Sequence, residues 1–550
     1  MTHTVSHALC EGMQAQGIDA LFCLPGVQND DFFNILFDFP GIRPIVARHE
    51  QACSYMATGA ALASGRLQAY CTVPGQGMLN AAAGHSTAFA ASARVLAIIG
   101  QAKTPFIGRM NGLLHEIPDQ MAVLGQVSKH VAALRDPRAA GGEVAAAFAA
   151  ATGGNPKPVT VECPLDLWAA ETDPTPIPDP AFPEVDEDAI ARAADMIAAA
   201  KAPMIVLGGG AQDAPEAVAA LAEMLKCPVS ALLMGKGAYD ERRPLAVPGP
   251  VAHALWPETD VAIGIGTRFQ VHEMQWGVDD DLALIQIEAD PGELNRRGRV
   301  DVPILARVEH ALPRLIAALE TRLGRVEDRS EDLAARTAAF RAEAAETLEP
   351  SFDDLEVIAG ALGEDGILVD DLTQVGYAGR FLHRVPGPRR YVSSGYAGTL
   401  GWGLPAALGA AVARPDRRIL TVQGDGGFLY CASELATAVK HRLPVVVLVY
   451  NDGAYGNVQR IQQQRFGHNR TIASDLVNPD IPAFAESFGC FATRAEPGPR
   501  GLAAALEAAF AANGPAVVEV PVAERYPSPW RYIQLPTVRG PKLPALLVAD

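Results

Sequence analysis

Gly424-Asp425-Gly426-Gly427 directly follows the apolar run RILTVQ, and a second apolar run, PVVVLVY, ends in Asn451-Asp452-Gly453-Ala454-Tyr455-Gly456. Carboxylates, an amide and glycines at two such strand ends suit a metal-bound diphosphate. Glycine lets a backbone approach a phosphate closely, and the N-terminus of a following helix favours its charge. A carboxylate, a second oxygen side chain and a backbone carbonyl can complete a Mg2+ shell with phosphate oxygens and water. Turns use the same residue types, so a single loop of this kind means little. Two of them after two buried strands carry the reading. Two further segments bear polar groups at helix starts. Arg48-His49-Glu50 closes PIVARHE before a helix beginning near Gln51, and Pro74-Gly75-Gln76-Gly77-Met78-Leu79-Asn80 reads as a tight strand-to-helix turn. Taken alone, Glu50 is a helix-dipole partner and Asn80 a helix cap.

Strands must hold these loops. VLAIIG (95–100), PMIVLGGG (203–210), DVAIGIG (260–266), LALIQIEADP (282–291) and GILVDD (366–371) are continuous apolar runs bounded by Gly or polar residues. Such runs read as strands buried on both faces, and their alternation with alanine-rich helical stretches predicts parallel sheets. Ligands bind just past the carboxyl ends of strands in such sheets. A chain of 550 residues asks for about three domains at roughly 100–200 residues each. The Pro- and acid-rich stretch 170–185 suits an extended linker. The highly charged stretch 324–350 suits a connecting helix plus loop. The fold expected is α/β, with three doubly wound parallel-sheet domains over 1–172, 186–323 and 350–535. No short-period repeat is evident.

Lys plus Arg is 45 and Asp plus Glu is 63, so the formal charge is 45 − 63 = −18. That balance argues against nucleic acid and anionic membranes as partners. The eight cysteines are scattered, with no C-x-x-C pair, which suits a reduced intracellular protein. The first residues lack the basic and apolar regions of a signal peptide, and no run of about 18 apolar residues offers a membrane span. A cytoplasmic enzyme is the expectation.

The GDG motif followed by an Asn-Asp pair resembles the thiamine-diphosphate signature. The closest resemblance is to acetolactate-synthase-like members of the acetolactate synthase, pyruvate decarboxylase and benzoylformate decarboxylase superfamily. In that family the metal ligands are the Asp of GDG, a side chain 27 residues on, and a carbonyl two residues beyond. Counting from Asp425 reaches Asp452 and Ala454. The family commonly has Asn at the second position, and here Asn451 lies one residue earlier. The ungapped match of Gly453-Ala454-Tyr455-Gly456 favours Asp452. By resemblance, Gly424, Gly426, Gly427, Tyr455 and Gly456 complete the diphosphate loops, and Gln374 contacts the diphosphate. Glu50 resembles the glutamate that activates the cofactor through N1′ of its aminopyrimidine, a task that needs a carboxyl in an apolar pocket. Gly75 and Asn80 match the family's glycine-rich loop. Gly395-Tyr396-Ala397-Gly398-Thr399-Leu400-Gly401-Trp402-Gly403-Leu404-Pro405 resembles the segment whose large aliphatic side chain bends the cofactor. Leu400 takes that place, and Gly398 offers its carbonyl to the 4′-amino group; this is catalysis by positioning.

The resemblance spans nearly the whole chain and makes the three blocks pyrimidine-binding, central and diphosphate-binding domains. It implies thiamine diphosphate and Mg2+ as cofactors, and a homo-oligomer, dimer or tetramer, with active sites between subunits. The central block lacks the family's G-M-x-G segment, since Pro248-Gly249-Pro250-Val251 runs directly into AHALWPE. FAD is therefore not expected. Substrate residues diverge as well: Leu114-His115-Glu116 stands where acetolactate synthases have Phe-Gln-Glu, and Ile461 where they often have Trp. His115 becomes the polar candidate for proton transfer, and Gln28, Val458 and Gln459 for lining the substrate pocket. Lys129 aligns loosely with a lysine that helps bind substrate or FAD. His49 and His85 read as structural. The activity implied is decarboxylation of a 2-oxo acid through a C2-carbanion/enamine, giving an aldehyde or acyloin. The rivals are a C–C lyase or hydrolase of an acyloin or dione, and a catalytically silent regulatory subunit.

Overall fold

The structure is a computed structural model that describes residues 3–524 and 526–540. Three parallel sheets organise it, of six, five and six strands. Across the first sheet the strands run Arg43–Val46, Ala20–Cys23, Gln68–Thr72, Val95–Gln101, Val159–Pro164 and His130–Ala133. Across the third they run Tyr391–Val392, Ile367–Val369, Ile419–Gly424, Val445–Asn451, Ala516–Pro521 and Phe491–Arg494. Every apolar run named above lies on a strand, and the inner strands are buried on both faces because helices cover both sides. The first and third sheets belong to one compact unit, which runs to Ala181 and takes in Gly366–Thr373 and Val392–Ala523. A second unit comprises Phe182–Asp365, Gln374–Tyr391 and the stretch from Glu524.

The two six-stranded sheets share one topology. Numbered in chain order, both read 2-1-3-4-6-5 across the sheet. The sixth strands also echo each other in sequence, VTVECP over 159–164 and AVVEVP over 516–521. Their fourth residues, Glu162 and Glu519, are buried carboxylates on strands with no other charged residue. Each is held by an arginine from the neighbouring edge strand or its end: Arg135 on Glu162, and Arg494 Nε on Glu519 at 2.7 Å. A buried carboxylate is costly without such a partner. The repeat was invisible as a short period because only topology and a few polar positions survive in it.

One helix pair packs the two sheets together. Glu50–Ser64 is capped by His49, whose ring accepts the Gln51 N–H at 3.2 Å, and it stops at Gly65, left-handed at φ 73°. Its partner, Gly403–Ala413, is buried along its whole length. Small residues let the backbones touch: a Cβ on Gly409 would stand 1.9 Å from the Met56 carbonyl oxygen, and one on Gly59 would stand 2.2 Å from that of Ala406. Gly409→Ala must therefore push backbone against backbone. It is expected to cost about 1–3 kcal/mol, read as a lower urea midpoint by circular dichroism. An unchanged midpoint would show that the seam has slack.

In the second unit the five strands order as Val302–Leu305, Ala283–Glu288, Val261–Ile265, Pro203–Leu207 and Val229–Ala231, with the pairs parallel. The linker over 173–185 carries no regular structure, and the charged stretch after it forms the helix Ser330–Thr347. All eight cysteines are free and buried. No helix among the described residues is long and apolar enough to cross a membrane.

Candidate active site

Glu50 is the first residue of its helix and remains half-exposed. Its Oε2 accepts the Asn80 side-chain N–H at 3.0 Å. Asn80 lies one turn into the helix Gln76–Ala90, so it meets Glu50 rather than capping the helix. The turn before that helix needs its glycine: Gly75 has φ 54°, and a Cβ there would stand 2.1 Å from the His115 carbonyl oxygen. Gly75 N–H donates to Gln120 Oε1 at 3.2 Å, and Gln120 Nε2 donates to the buried Glu162 at 2.5 Å. His115, itself at φ 64°, places Nδ1 3.0 Å from Gln76 Oε1. Gln28 Nε2 donates to the Leu114 carbonyl at 3.1 Å, while its buried Oε1 has no hydrogen-bond partner. Glu50, Gly75, Asn80, His115 and Gln28 thus gather at the carboxyl edge of the first sheet.

The loop bearing Glu50 is gripped by the other half of the same unit. The fully buried carboxylate of Glu434 accepts the backbone N–H of Arg48 at 2.9 Å and of His49 at 3.0 Å, and the Thr437 hydroxyl at 2.6 Å. Burial raises its pKa above the usual carboxylate range, and these donors oppose the shift. Glu434 follows the Gly-Asp-Gly-Gly loop by only a few residues. Tyr55 Oη also lies 2.7 Å from Thr399 Oγ1, beside Leu400.

At the carboxyl edge of the third sheet, Asp425 opens a short helix after the strand Ile419–Gly424. It is buried, which raises its pKa, while the Asn478 amide and backbone N–H groups, including those of Gly426 and Gly453, pull it down. Leu400 packs over Gly427, its Cδ2 3.9 Å from where a Cβ would stand. Tyr455 packs over Gly426, where a Cβ would meet the ring at 2.6 Å. Gly398 is left-handed at φ 54°. Asn451 has both side-chain atoms engaged: Nδ2 donates to Glu519 at 2.8 Å, and Oδ1 accepts from Asn478 at 2.9 Å and from Gly453 N–H at 3.3 Å. Asp452 turns back on its own loop, accepting Ala454 N–H at 3.2 Å and lying over Gly456.

Other candidates fare differently. Gln459 is buried and spends its amide on Asp475 at 2.7 Å, while Val458 is exposed. Lys129 Nζ donates to the carbonyls of Gly153 and Asn155 at 2.8 and 2.6 Å, so it closes the end of the helix Pro137–Thr152. His85 sits between Tyr70 Oη at 3.1 Å and Ser128 Oγ at 2.8 Å, and burial lowers its pKa to about 3. Gln374 opens the helix Gln374–Leu382 in the second unit, its buried Oε1 without a hydrogen-bond partner. Gly208 and Gly210 pack against the Gly266 turn, which accounts for them without a dinucleotide. Sequence reasoning missed Asn478, Glu434 and Gln120. Only the charged residues within apolar strands, Glu162 and Glu519, signalled that such braces exist.

These residues fit a metal-bound diphosphate. At Gly424 and Gly427 a Cβ would meet nothing nearer than 3.7 and 3.6 Å, so bare backbone faces room that a side chain would fill. Among the described residues no three His, Cys, Asp or Glu side chains gather as a metal cluster. The expected set of two carboxylates, a carbonyl and phosphate oxygens does not call for one.

Comparison with known proteins agrees with the geometry. The chain matches the thiamine pyrophosphate enzyme N-terminal TPP binding domain over residues 3–123, the central domain over 190–315 and the C-terminal TPP binding domain over 371–520. It is 31% identical to a probable acetolactate synthase large subunit of Methanocaldococcus jannaschii, over 94% of this chain and 91% of the relative. It is 32% identical to a probable 2-ketoarginine decarboxylase of Pseudomonas aeruginosa, over 94% of each. An acetolactate synthase large subunit of Parasynechococcus marenigrum is 32% identical over 88% of this chain and 82% of the relative. With all three domain types present in order, the chain belongs to the thiamine pyrophosphate enzyme family, among its acetolactate-synthase-like 2-oxo acid decarboxylases and carboligases.

Proposed function

We propose that the protein is a Mg2+- and thiamine-diphosphate-dependent enzyme that decarboxylates a 2-oxo acid and releases an aldehyde or joins the remaining carbon unit to a second carbonyl. The observation that carries this reading is the pairing of Glu50 with Asn80 at one sheet edge and of Asp425 with the backbone of the glycine loops at the other. When bound, thiamine diphosphate supplies the nucleophile and electron sink for cleavage beside a 2-oxo group. Asp425, Asp452 and the Ala454 carbonyl hold Mg2+, Asp452 being favoured because Asn451 is already spent on Glu519 and Asn478. Gly424, Gly426, Gly427, Tyr455, Gly456 and Gln374 hold the diphosphate. Leu400 and Gly398 shape the cofactor, and Glu50 exchanges a proton with its aminopyrimidine. Gly75 and Asn80 flank that ring.

The functional domains take the bounds 1–172, 186–323 and 350–535, and no flavin is part of the proposal. Glu50 is half-exposed, and Leu79, Leu114, Tyr396, Tyr430 and Val458 are exposed beside the functional loops. Exposed apolar groups of this kind support a homodimer or homotetramer in which a second copy closes each site. We place the enzyme in the cytoplasm.

His115, Gln28, Val458 and Gln459 form the substrate side of the proposal. His115 is the proton donor or acceptor there, held toward the Gly75–Gln76 turn by its own strained backbone. The test is a panel of 2-oxo acids, including pyruvate and 2-ketoarginine, incubated with Mg2+ and thiamine diphosphate and scored for CO2, aldehyde and acyloin. CO2 release from at least one acid is expected. Cleavage confined to acyloins or diones would instead identify a C–C lyase or hydrolase, and inertness towards every acid would refute the reading.

A further inference from the structure

The Asp425 carboxylate does not stand alone beneath its loop. Asn478 Nδ2 donates to Asp425 Oδ2 at 2.6 Å and to Asn451 Oδ1 at 2.9 Å. Asn451 Nδ2 continues to Glu519 Oε1 at 2.8 Å, and Glu519 Oε2 accepts Arg494 Nε at 2.7 Å. Arg494 then reaches Asp480 at 3.0 Å, two residues on from Asn478. Asp480 in turn caps the helix Ile481–Glu486 through Ala483 N–H at 3.0 Å. The chain of hydrogen bonds therefore closes on the loop where it began. It ties together four strands of the third sheet, Ile419–Gly424, Val445–Asn451, Ala516–Pro521 and Phe491–Arg494.

We infer that Asn478 is the positioning residue of the metal site: its amide fixes the Asp425 carboxylate against the loop that supplies the other metal ligands. The inference rests on the Mg2+–diphosphate reading above. Three features carry it. First, one amide nitrogen bridges the GDG carboxylate and the loop residue next to Asp452, so both ligand loops share one reference point. Second, Asn478 Oδ1 is buried without a hydrogen-bond partner, so packing and the two donated bonds alone set the orientation of the amide. A buried acceptor left unmet is costly and calls for a reason. Third, Glu519 has a counterpart in Glu162, which braces the Gly75 turn through Gln120 in the first sheet. In both sheets a buried glutamate on the sixth strand steadies the loop that follows the third or fourth strand. Outer partners of metal ligands act by orienting them, and losing one typically weakens metal affinity by about 10–100-fold.

The test is Mg2+ titration by calorimetry at saturating thiamine diphosphate, for wild type, Asn478→Ala, Asn478→Asp, Asn451→Ala and the double alanine variant. Asn478→Ala is expected to bind Mg2+ about 10–100-fold more weakly while keeping the wild-type far-ultraviolet circular dichroism. Excess Mg2+ should restore its cofactor affinity to the wild-type value, which a merely misfolded loop would not allow. The double variant should be little worse than Asn478→Ala, because both residues act through one shared contact. Asn478→Asp should also bind Mg2+ more weakly, since a carboxylate cannot donate to Asp425. Wild-type Mg2+ affinity in Asn478→Ala overturns the inference, as does a defect that excess Mg2+ leaves in place. Tighter Mg2+ binding by Asn478→Asp also overturns it, because position 478 would then be a ligand position. If wild type itself shows no Mg2+-dependent cofactor binding, the functional reading fails instead.

Discussion

Asp425→Ala is expected to release thiamine diphosphate at Mg2+ concentrations that saturate the wild type. Its carboxylate is buried at the end of a central strand of the third sheet and receives N–H groups from its own loop and from the Gly453 loop. Burial disfavours its charge, so a cation bound there is favoured over water. Alanine removes a buried acid at the glycine loops and leaves Asn478 and the Gly453 N–H with Asn451 Oδ1 as their remaining acceptor. An outer partner alone is worth about 10–100-fold in affinity, so loss of this ligand should exceed about 100-fold. Gel filtration with Mg2+ followed by assay of retained cofactor reads the result. Retention equal to wild type would refute the metal assignment.

Glu50→Gln should separate binding from activation. Glutamine keeps the size of the side chain and can still accept from Asn80 through its carbonyl oxygen, so the contact at 3.0 Å survives in part. What disappears is the exchangeable proton of the carboxyl group. General acid–base contributions run to about 10²–10⁴-fold, and a loss of that size is expected in C2 proton exchange measured by NMR. Cofactor affinity should stay close to wild type. Unchanged exchange would remove Glu50 from the chemistry. Reduced binding with unchanged exchange per bound cofactor would make it a binding residue only. The half-exposed setting of Glu50 matters here. That exposure is one of the observations behind the proposal that a second copy closes each site.

Much of this was legible in the sequence, for identifiable reasons. Strands buried on both faces show as unbroken apolar runs, so VLAIIG, RILTVQG and PVVVLVYN announced themselves. Gly75, Gly398 and Gly426 were legible because only glycine tolerates their backbone angles or close contacts. Asn80 falls inside the helix that follows the glycine turn, and its contact with Glu50 follows from helix geometry, one turn in from that helix's start. The loose alignment of Lys129 with a ligand-binding lysine could not show that it caps carbonyls at a helix end, because such a lysine looks in sequence like any other. Gln459 was read as pocket-lining, and its amide bond to Asp475 could not be foreseen from the sequence. Asn478 and Glu434 were out of reach: each acts on a partner more than 50 residues away, and an Asn before a Pro reads simply as a turn. Glu162 and Glu519 gave a fair hint, since a lone acid inside an apolar strand must have found a cation or donors.

The seam between the helices Glu50–Ser64 and Gly403–Ala413 bears on how such an enzyme can change its substrate. Backbone touches backbone there, so the separation of the two halves is fixed by peptide groups rather than by side chains that mutation can trim or enlarge. The segments over 104–119 and 458–477, the second of which starts on the helix Gly456–Phe466, sit outside this seam and carry exposed Met110, Leu113, Leu114, Val458, Phe466, Ile472 and Val477. Substitutions at those exposed positions leave the seam untouched. New specificity is therefore best sought in them, with the frame around the cofactor left intact, and library design on this scaffold should exclude Met56, Gly59, Ala406 and Gly409 from variation.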